Sequence, residues 1–379
     1  MRIAVNTRLL LQGQLEGIGW FTYQTLSRIA AAHPEHQFIF IFDRPFDPEF
    51  LFAPNVTGIY AGPPTRHPVL WYLWFEITLP RLLRRHKADV FLSPDGMGSL
   101  RTRVPQCVVI HDLAFDRFPQ HMKPAHLRYL RYATPRLLQK ARQIVTVSEF
   151  SKKDIMARYE VPAEKITVSC NGAPPQFQPL GWEAREAAKA RWTGGSEYFV
   201  YVGALQPRKN IVNLLRAFVR FKKRQRSDMK LVIAGKESWE NSEINRYREH
   251  MVFKEDVLWP GYCSVEDLAQ LIGGAYALVY PSLFEGFGIP ILEALQCGVP
   301  AIVGNNSSMP EVGGAAVLLC DPTDPQDISD QMQLLYKDES LRNQLLAHAP
   351  AQTQKYTWDH AAATLWAAVE KCVAHQPDA

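Results

Sequence analysis

Residues 277–295 read ALVYPSLFEGFGIPILEAL, which is an apolar run, a loop with two glycines and the beginning of a helical pattern. A short apolar run without alternation favours a strand that is covered on both faces, as in a parallel sheet. Gly286 and Gly288 let the backbone approach a ligand, and Pro290 suits the first turn of a helix. The stretch therefore predicts a strand, a ligand-binding loop, and a helix whose free N–H groups receive an anion.

The same rhythm of short apolar runs and longer helical patterns recurs along the chain. The strand-like runs are Ile3–Asn6, Phe38–Phe42, Asp89–Leu92, Cys107–Ile110, Ile144–Val147, Tyr198–Gly203, Lys230–Ala234, Val257–Trp259, Ala277–Tyr280 and Pro300–Val303. The segments between them are long enough for crossover helices. The sequence therefore predicts an α/β protein with two doubly wound parallel sheets of the Rossmann-like kind, whose ligands bind at the carboxyl ends of the strands.

Turn-forming residues interrupt this rhythm near the middle of the chain, where residues 171–179 read NGAPPQFQP. Such a cluster is typical of a linker between domains. The chain has 379 residues, 47% of them hydrophobic and 21% charged, which suits two cores. We therefore expect an N-terminal domain at residues 1–178 and a C-terminal domain at residues 179–357.

Composition argues against several classes of protein. The formal net charge of +4 is too small to indicate a nucleic-acid partner. No apolar run approaches the roughly 20 residues that span a bilayer, and residues 1–6 begin a strand rather than a signal peptide. The six cysteines lie far apart without a CxxC pair, so neither a disulfide framework nor a zinc site is predicted. We expect a cytoplasmic globular protein.

Basic residues concentrate in the first half of the chain. Residues 117–142 hold seven Lys or Arg and no Asp or Glu, and residues 66–87 hold five against Glu76 alone. Aromatic residues are interleaved with them, as on faces that rest on an anionic membrane. Helices packed on a sheet, with their arginines in water, explain the same pattern equally well.

The loop after the run 198–203 carries two adjacent cations. Gly203 ends the run, and Arg208 and Lys209 precede a helical pattern. Cations beside the unpaired N–H groups of a helix N-terminus form a natural site for a diphosphate. A solvated turn with two surface charges is the alternative.

Two carboxylates accompany the glycines of residues 277–295. Glu285 lies in the predicted loop and Glu293 about one turn into the helix. Because a phosphate repels a carboxylate, the two suit the neutral hydroxyls of groups that flank a diphosphate, such as a sugar and a ribose. A helix-dipole partner and a capping residue are the alternatives for Glu293 and Glu285.

Taken together, these loops resemble the retaining nucleotide-sugar glycosyltransferases of family 4, which have the GT-B fold. Weaker matches follow in order over most of the chain. They are GIG at 17–19, HDL at 111–113, VSEFSKKD at 147–154, KITV at 165–168, NG at 171–172, PGY at 260–262 and PEVGG at 310–314. Within the family, the chain is most similar to bacterial mannosyltransferase-like enzymes of polysaccharide and O-antigen assembly.

The resemblance implies a role for each loop of the C-terminal domain. Arg208 and Lys209 would neutralise the donor diphosphate in place of a metal, so no metal cofactor is expected. Glu293 would bind the ribose, and Tyr262 would lie where the nucleobase binds. The sugar and its phosphate would face Glu285, Gly286 and the amides of Phe287, Gly288 and Ile289.

In the N-terminal domain the resemblance points to three residues. Gly17 and Gly19 would form a loop that closes over the diphosphate, where a side chain would collide. His111 follows the run 107–110 and would hydrogen-bond the transferred sugar, although a lone histidine at a strand end is more often structural. Asp112 is expected to hold its loop. The last helix, 358–373 within the terminal segment 358–379, would cross back onto this domain.

The expected activity is transfer of a hexose, mannose from GDP-mannose, with retention of configuration. The acceptor would be a glycan or a polyprenyl-diphosphate-linked glycan, reached by peripheral contact with the inner face of the membrane. A UDP-sugar-dependent hexosyltransferase and a non-catalytic nucleotide-sugar-binding partner are the alternatives. An epimerase would lack the pair Glu285 and Glu293, and a dehydrogenase would require a third glycine after Gly17 and Gly19.

Overall fold

The computed structural model describes residues 1–13, 15–236 and 242–374. The chain divides into two compact units, one formed by Met1–Asn171 with the segment from Trp358 onward, the other by Gly172–Thr357. This division falls inside the predicted linker, seven residues before position 178. All of the linker after Asn171 belongs to the second unit, where buried Phe177 lines a cavity together with Leu295 and Leu346.

The first unit contains a seven-stranded parallel sheet. Its strands are β1 (Arg2–Asn6), β2 (Gln37–Phe42), β3 (Val56–Tyr60), β4 (Val90–Ser93), β5 (Gln106–Ile110), β6 (Gln143–Thr146) and β7 (Ile166–Val168). They lie in the order β3-β2-β1-β4-β5-β6-β7. The predicted runs match five of them. The two missed strands are the sheet edges, where partial exposure leaves no continuous apolar run.

Six α-helices in the described part of residues 1–171 pack around this sheet. They are α1 (Gly17–Ala32), α2 (Pro68–Leu73), α3 (Leu79–Arg85), α4 (Ala114–Arg117), α5 (Pro124–Lys140) and α6 (Glu149–Tyr159). A π-helical turn at Trp74–Thr78 joins α2 to α3. It places Trp74 and Phe75 in a core cluster with Phe91 of β4.

The second unit contains a six-stranded parallel sheet in the order β10-β9-β8-β11-β12-β13. Its strands are β8 (Tyr198–Val202), β9 (Lys230–Ala234), β10 (Val257–Gly261), β11 (Ala277–Tyr280), β12 (Ala301–Gly304) and β13 (Val317–Cys320). Its helices are α7 (Trp182–Thr193), α8 (Ile211–Gln225), α9 (Ser242–His250), α10 (Val265–Gly273), α11 (Ile289–Gln296), α12 (Met309–Gly313), α13 (Pro325–Lys337) and α14 (Glu339–Thr353). Only β13, an edge strand, was not predicted.

The last helix, α15 (Trp358–Ala374), belongs to the first unit. Its Trp366 ring stacks on His33, with 4.0 Å between ring centroids. The Ser169 hydroxyl donates a hydrogen bond to the carbonyl of Ala361 over 2.9 Å. None of the helices in the described ranges has the length and apolar character needed to cross a membrane.

Both sheets have the strand order of a dinucleotide-binding fold, and so each has a switch point where the order reverses. In the first sheet it lies between β1 and β4, and in the second between β8 and β11. Ligands of such sheets bind outside the carboxyl ends of the strands at this point. The loops that follow β8 and β11 are those that sequence reasoning had selected.

A close backbone approach shapes the same edge of the second sheet. Gly235 follows β9 with φ +156, and a Cβ there would lie 1.9 Å from the carbonyl oxygen of Gly203, which follows β8. No side chain fits that distance, so the backbones that follow these strands depend on glycine.

Gly235→Ala should therefore lower the free energy of unfolding by about 3 kcal/mol or more, since backbone strain and a steric clash add. Gly195→Ala is the matched control, because Gly195 has φ +95 but open space around its Cβ position. Denaturant unfolding of both variants isolates the clash. Equal losses in the two variants would show that the approach to Gly203 is not a constraint.

Candidate active site

The loops after β8 and β11 are bound to each other by backbone and amide contacts. Asn210, in the left-handed region with φ 63, donates from Nδ2 to the carbonyl of Pro281 over 2.9 Å. The amide of Leu283 donates to the carbonyl of Arg208 over 2.8 Å. Arg208 and Lys209 lie in a short 3₁₀ turn between these contacts. The two loops therefore form one structure at the switch point.

A buried ionic cluster lies within this structure. Glu285 Oε1 is 2.6 Å from Lys209 Nζ, and Glu285 Oε2 is 3.3 Å from Arg208 Nη1. Arg208 Nη1 also donates to the carbonyl of Phe284 over 3.0 Å, and Lys209 Nζ donates to the hydroxyl of Tyr280 over 2.8 Å. The predicted diphosphate and sugar residues are therefore in direct contact in the protein.

The cluster keeps Glu285 ionised. Burial alone would raise the pKa of its carboxyl, but the charges of Lys209 and Arg208 outweigh burial and lower the pKa to about 2. Arg208 is the most accessible of the three side chains at 20% exposure, against 10% and 7% for Lys209 and Glu285. The cluster is thus a fixed set of charges with one cation at its surface.

The backbone of Glu285 is held separately from its side chain. Its amide donates to the Ser307 hydroxyl over 3.1 Å, and its carbonyl accepts from the buried Ser308 hydroxyl over 3.0 Å. The same Ser308 hydroxyl lies 2.9 Å from the carbonyl of Phe287. The segment that follows β12 therefore fixes the loop that carries the carboxylate.

Glu293 lies in α11 in the opposite electrostatic environment. Its side chain is buried, and no charge or hydrogen bond of the described residues offsets the effect of that burial on its pKa. Burial raises the pKa of Glu293 to about 8. An apolar surrounding therefore keeps this carboxyl largely protonated at neutral pH.

The glycine loop between the two carboxylates has the predicted form. Gly288 has φ +102 and caps α11, which begins at Ile289. Gly286 and Phe287 are buried, and the Phe287 ring meets Tyr356 edge-on at 5.4 Å. The backbone therefore turns sharply where the helix N–H groups begin.

Tyr262 follows β10 and is 62% exposed. Gly261 before it has φ +77 with open space around its Cβ position. The ring is accessible at the ligand edge of the sheet, as a base-stacking residue requires. Its role stays a prediction.

His111 lies at the carboxyl end of β5 in the first unit and is partly buried. Its Nε2 is 2.7 Å from the carbonyl oxygen of Pro94, and its ring meets Phe21 edge-on at 5.1 Å. Burial lowers the pKa of His111 despite this hydrogen bond and the nearby Asp112 and Asp95. Asp112 accepts from the amide of Ala114 over 2.9 Å and so holds its loop.

Gly17 and Gly19 do not form the predicted loop, because both lie in the first turn of α1. Around the Cβ position of Gly17 there is open space, so no described residue requires glycine there. At Gly19 a Cβ would lie 3.1 Å from the carbonyl oxygen of Leu9. Helix packing therefore restricts Gly19, whereas collision with a diphosphate stays a prediction for both.

Three kinds of residue at the site were missed by sequence reasoning. Tyr280 was read only as a strand residue, and Ser307 and Ser308 lie in a segment without a distinctive motif. The position of Asn210 directly after the cation pair was a usable signal for a left-handed cap. The roles of Tyr280, Ser307 and Ser308 depend on contacts with residues that are distant in sequence.

One group of three side chains in the described part of the chain has the spacing of metal ligands, namely His33, Glu35 and His36. Glu35 Oε1 lies 3.5 Å from His33 Nδ1 and 3.3 Å from His36 Nε2. The group lies at the turn between α1 and β2 in the first unit. The loops after β8 and β11 belong to the second unit.

Both halves of the chain match family models of glycosyltransferases. Residues 16–177 match the family model described as Glycosyltransferase Family 4, and residues 183–352 match Glycosyl transferases group 1. The O-antigen chain mannosyltransferase B of Escherichia coli is 31% identical over 287 residues, which is 73% of this chain and 73% of that protein.

Two solved structures share the fold. WaaG, described as a glycosyltransferase involved in lipopolysaccharide biosynthesis, has a TM-score of 0.77 at 15% identity over 97% of this chain and 98% of its own. Anabaena HepE in complex with UDP and glucose also has a TM-score of 0.77, at 16% identity over 98% and 99%. With its two parallel-sheet domains the protein has the GT-B fold, and it belongs to the family 4 glycosyltransferases.

Proposed function

We propose that this glycosyltransferase transfers mannose from GDP-mannose, with retention of configuration, to a hydroxyl of a glycan or of a polyprenyl-diphosphate-linked glycan in polysaccharide or O-antigen assembly. The observation that carries the proposal is the buried cluster of Arg208, Lys209 and Glu285 at the switch point of the second sheet. The choice of mannose and of O-antigen assembly is supported by similarity to the mannosyltransferase of Escherichia coli.

Arg208 and Lys209 stabilise the departing nucleoside diphosphate. Negative charge grows on the diphosphate as the bond to the sugar breaks, and preorganised cations lower the energy of that transition state. The sequence has no Asp-x-Asp motif to hold a metal beside the diphosphate. The two side chains supply the positive charge instead.

Glu285 faces the sugar as a carboxylate. With a pKa of about 2 it does not donate a proton at neutral pH, so it accepts hydrogen bonds from sugar hydroxyls and stabilises positive charge on the ring. Retention then follows from attack on the same face as the leaving group. The departing phosphate takes the proton of the acceptor hydroxyl.

His111 hydrogen-bonds a sugar hydroxyl as a neutral ring. The carbonyl of Pro94 only accepts, so Nε2 carries the proton in that 2.7 Å contact. The lowered pKa keeps the ring neutral, and Nδ1 then has an acceptor lone pair. His111 thus orients a hydroxyl rather than delivering a proton.

The donor assignment is tested by thermal shift with GDP-, UDP-, ADP- and CMP-sugars in the presence of EDTA. GDP-mannose should raise the melting temperature most, because a ligand that binds only the folded state stabilises it. Added magnesium should change neither this shift nor transfer. A larger shift with a UDP-sugar would indicate that the donor is a UDP-sugar rather than GDP-mannose. Activity that EDTA abolishes and magnesium restores would contradict the role of Arg208 and Lys209.

Arg208→Ala or Lys209→Ala should lower turnover by about 10² or more with a folded protein, since each removes one preorganised charge contact. Lys223→Ala, which removes an exposed cation from α8, is the control and should keep full activity. Steady-state kinetics and circular dichroism give the comparison. Normal turnover in either the Arg208 or the Lys209 variant would show that this residue does not take part in transfer.

Glu293→Ala should weaken donor affinity, whereas Glu285→Ala should mainly lower turnover, because the ribose is a spectator and the sugar reacts.

The pKa of Glu293 predicts a pH dependence of donor binding. An ionised carboxylate accepts hydrogen bonds from ribose hydroxyls better than a protonated one. Donor affinity of the wild-type protein should therefore rise as pH increases through about 8, the pKa of Glu293, and this rise should be absent in Glu293→Gln. Calorimetry across pH 6–9 tests both; identical profiles would remove the ribose assignment.

Exposed groups on the first unit support peripheral membrane contact. Val69, Tyr72 and Leu73 of α2 are 59%, 38% and 37% exposed, and α3 presents exposed arginines. Trp71 and Trp74 instead turn inward, donating to the carbonyls of Thr65 and Ala61 over 2.8 and 2.7 Å. Packing explains the two tryptophans, so the proposal of membrane contact is based on the exposed arginines of α3.

The protein should therefore sediment with anionic but not zwitterionic liposomes at low salt, because each cation near such a surface contributes about 1 kcal/mol. Changing Arg81, Arg84 and Arg85 together to Ser should reduce sedimentation without altering donor binding. Changing the exposed Arg220, Lys223 and Arg224 of α8 to Ser removes equal charge and should have little effect. If both triple variants lost sedimentation equally, binding to liposomes would depend on the net charge of the protein and not on the arginines of α3.

A further inference from the structure

Lys209 has a second partner besides the Glu285 carboxylate. Its Nζ donates to the Tyr280 hydroxyl over 2.8 Å and lies 5.3 Å from the centre of the Tyr280 ring. An ammonium has three donors, so the carboxylate and the hydroxyl can both hold it at once. Tyr280 therefore gives the cation a contact besides the carboxylate, and its hydroxyl also interacts with the Glu285 carboxylate.

The Glu285 carboxylate lies where an anionic ligand of the two cations would bind. It contacts both Lys209 and Arg208 and is ionised at neutral pH. A diphosphate brought to the same cations would be repelled by it at short range. Binding of the diphosphate to both cations thus requires the carboxylate to turn away.

Only the side chain of Glu285 needs to move. Its amide and carbonyl are fixed by the hydroxyls of Ser307 and Ser308. Rotation about side-chain torsions therefore moves the carboxylate from the cations toward the sugar, while the loop keeps its shape. In this exchange Lys209 loses its contact with the carboxylate and keeps its contact with the Tyr280 hydroxyl.

Resting on the proposed function, we propose that Tyr280 is a positioning residue of the donor site: its hydroxyl holds Lys209 Nζ in place while the donor diphosphate replaces the Glu285 carboxylate. Tyr280 suits this role because it is buried on β11 and its ring stacks on Tyr201, with 5.6 Å between centroids and 17° between planes. Such a ring has no room to follow a moving partner.

Tyr201 provides a matched control within the same stack. It is as fully buried as Tyr280, and its hydroxyl has no hydrogen-bond partner within the described ranges. Removing either hydroxyl keeps the ring and its packing. Tyr280→Phe removes the contact with Lys209 and the interaction with Glu285, whereas Tyr201→Phe removes no hydrogen bond of the described residues.

The experiment measures GDP binding to the full-length protein by calorimetry, with UDP as the probe if the thermal-shift panel selects uridine. Tyr280→Phe should weaken binding about ten-fold, the usual effect of losing a hydrogen bond to a charged group, and Tyr201→Phe should change it less than two-fold. Equal effects of the two variants would overturn the proposal.

Two further variants separate positioning from a general structural effect. In a Lys209→Ala background, Tyr280→Phe should have no further effect on GDP binding, because its action passes through Lys209. Glu285→Gln should tighten GDP binding about ten-fold, since it frees the cations from a competing charge. A Tyr280→Phe loss that persists without Lys209, or weaker binding in Glu285→Gln, contradicts the proposal.

Failure of the proposed function would look different from failure of this inference. If the wild-type protein binds no nucleoside diphosphate, the donor site itself is wrong. If it binds one and the variants behave as the controls do, only the role of Tyr280 is wrong.

Discussion

A buried carboxylate between two cations is the constraint on which the ligand edge of the second unit depends. Burial of Glu285 is unfavourable unless the charge is paired, and its partners come from the other loop of the switch point. The loop after β8 therefore supplies, in Arg208 and Lys209, the charges that balance the buried carboxylate of the loop after β11. Contacts from Asn210 and Leu283 join the backbones of the same loops, so charge and backbone impose one geometry.

This geometry gives two carboxylates, eight positions apart, opposite states at neutral pH. Glu285 has a pKa of about 2 because two cations outweigh its burial, whereas Glu293 has a pKa of about 8 because burial acts alone. Pairs of acids whose environments separate their pKa values mark sites with a division of labour. One carboxylate suits a reacting sugar with growing positive charge, and the other suits spectator hydroxyls.

Sequence patterns predicted the elements and loop residues whose structure depends on neighbours along the chain. Interior strands such as β9 and β11 were predicted at their observed bounds because they are apolar on both faces, and Gly288 and Glu285 lie as the loop pattern indicated. Edge strands β3, β7 and β13 were missed because one side meets solvent, and the edge strand β10 was predicted over only its first three residues, Val257–Trp259. Gly17 was wrongly placed in a loop, since a glycine pair before an apolar stretch does not distinguish a loop from a helix start. Tyr280 and Ser308 act through contacts between strands, which no local pattern encodes.

The first unit also has an ion pair between the loops at the switch point of its sheet. The difference between the ion pairs of the two units is consistent with our proposal that the second unit binds the donor. Arg8 follows β1 and pairs with Asp95, which follows β4, so this pair also joins the loops of a switch point. Arg8 is enclosed further, since it donates to the Thr65 hydroxyl over 3.0 Å and lies 5.8 Å from the ring of Trp71. Arg8 is thus held by a carboxylate, a hydroxyl and a ring with 10% of its side chain exposed, as suits a structural tie between loops, against 20% for Arg208. In the second unit Arg208 reaches the surface, so an incoming anion has a cation to meet.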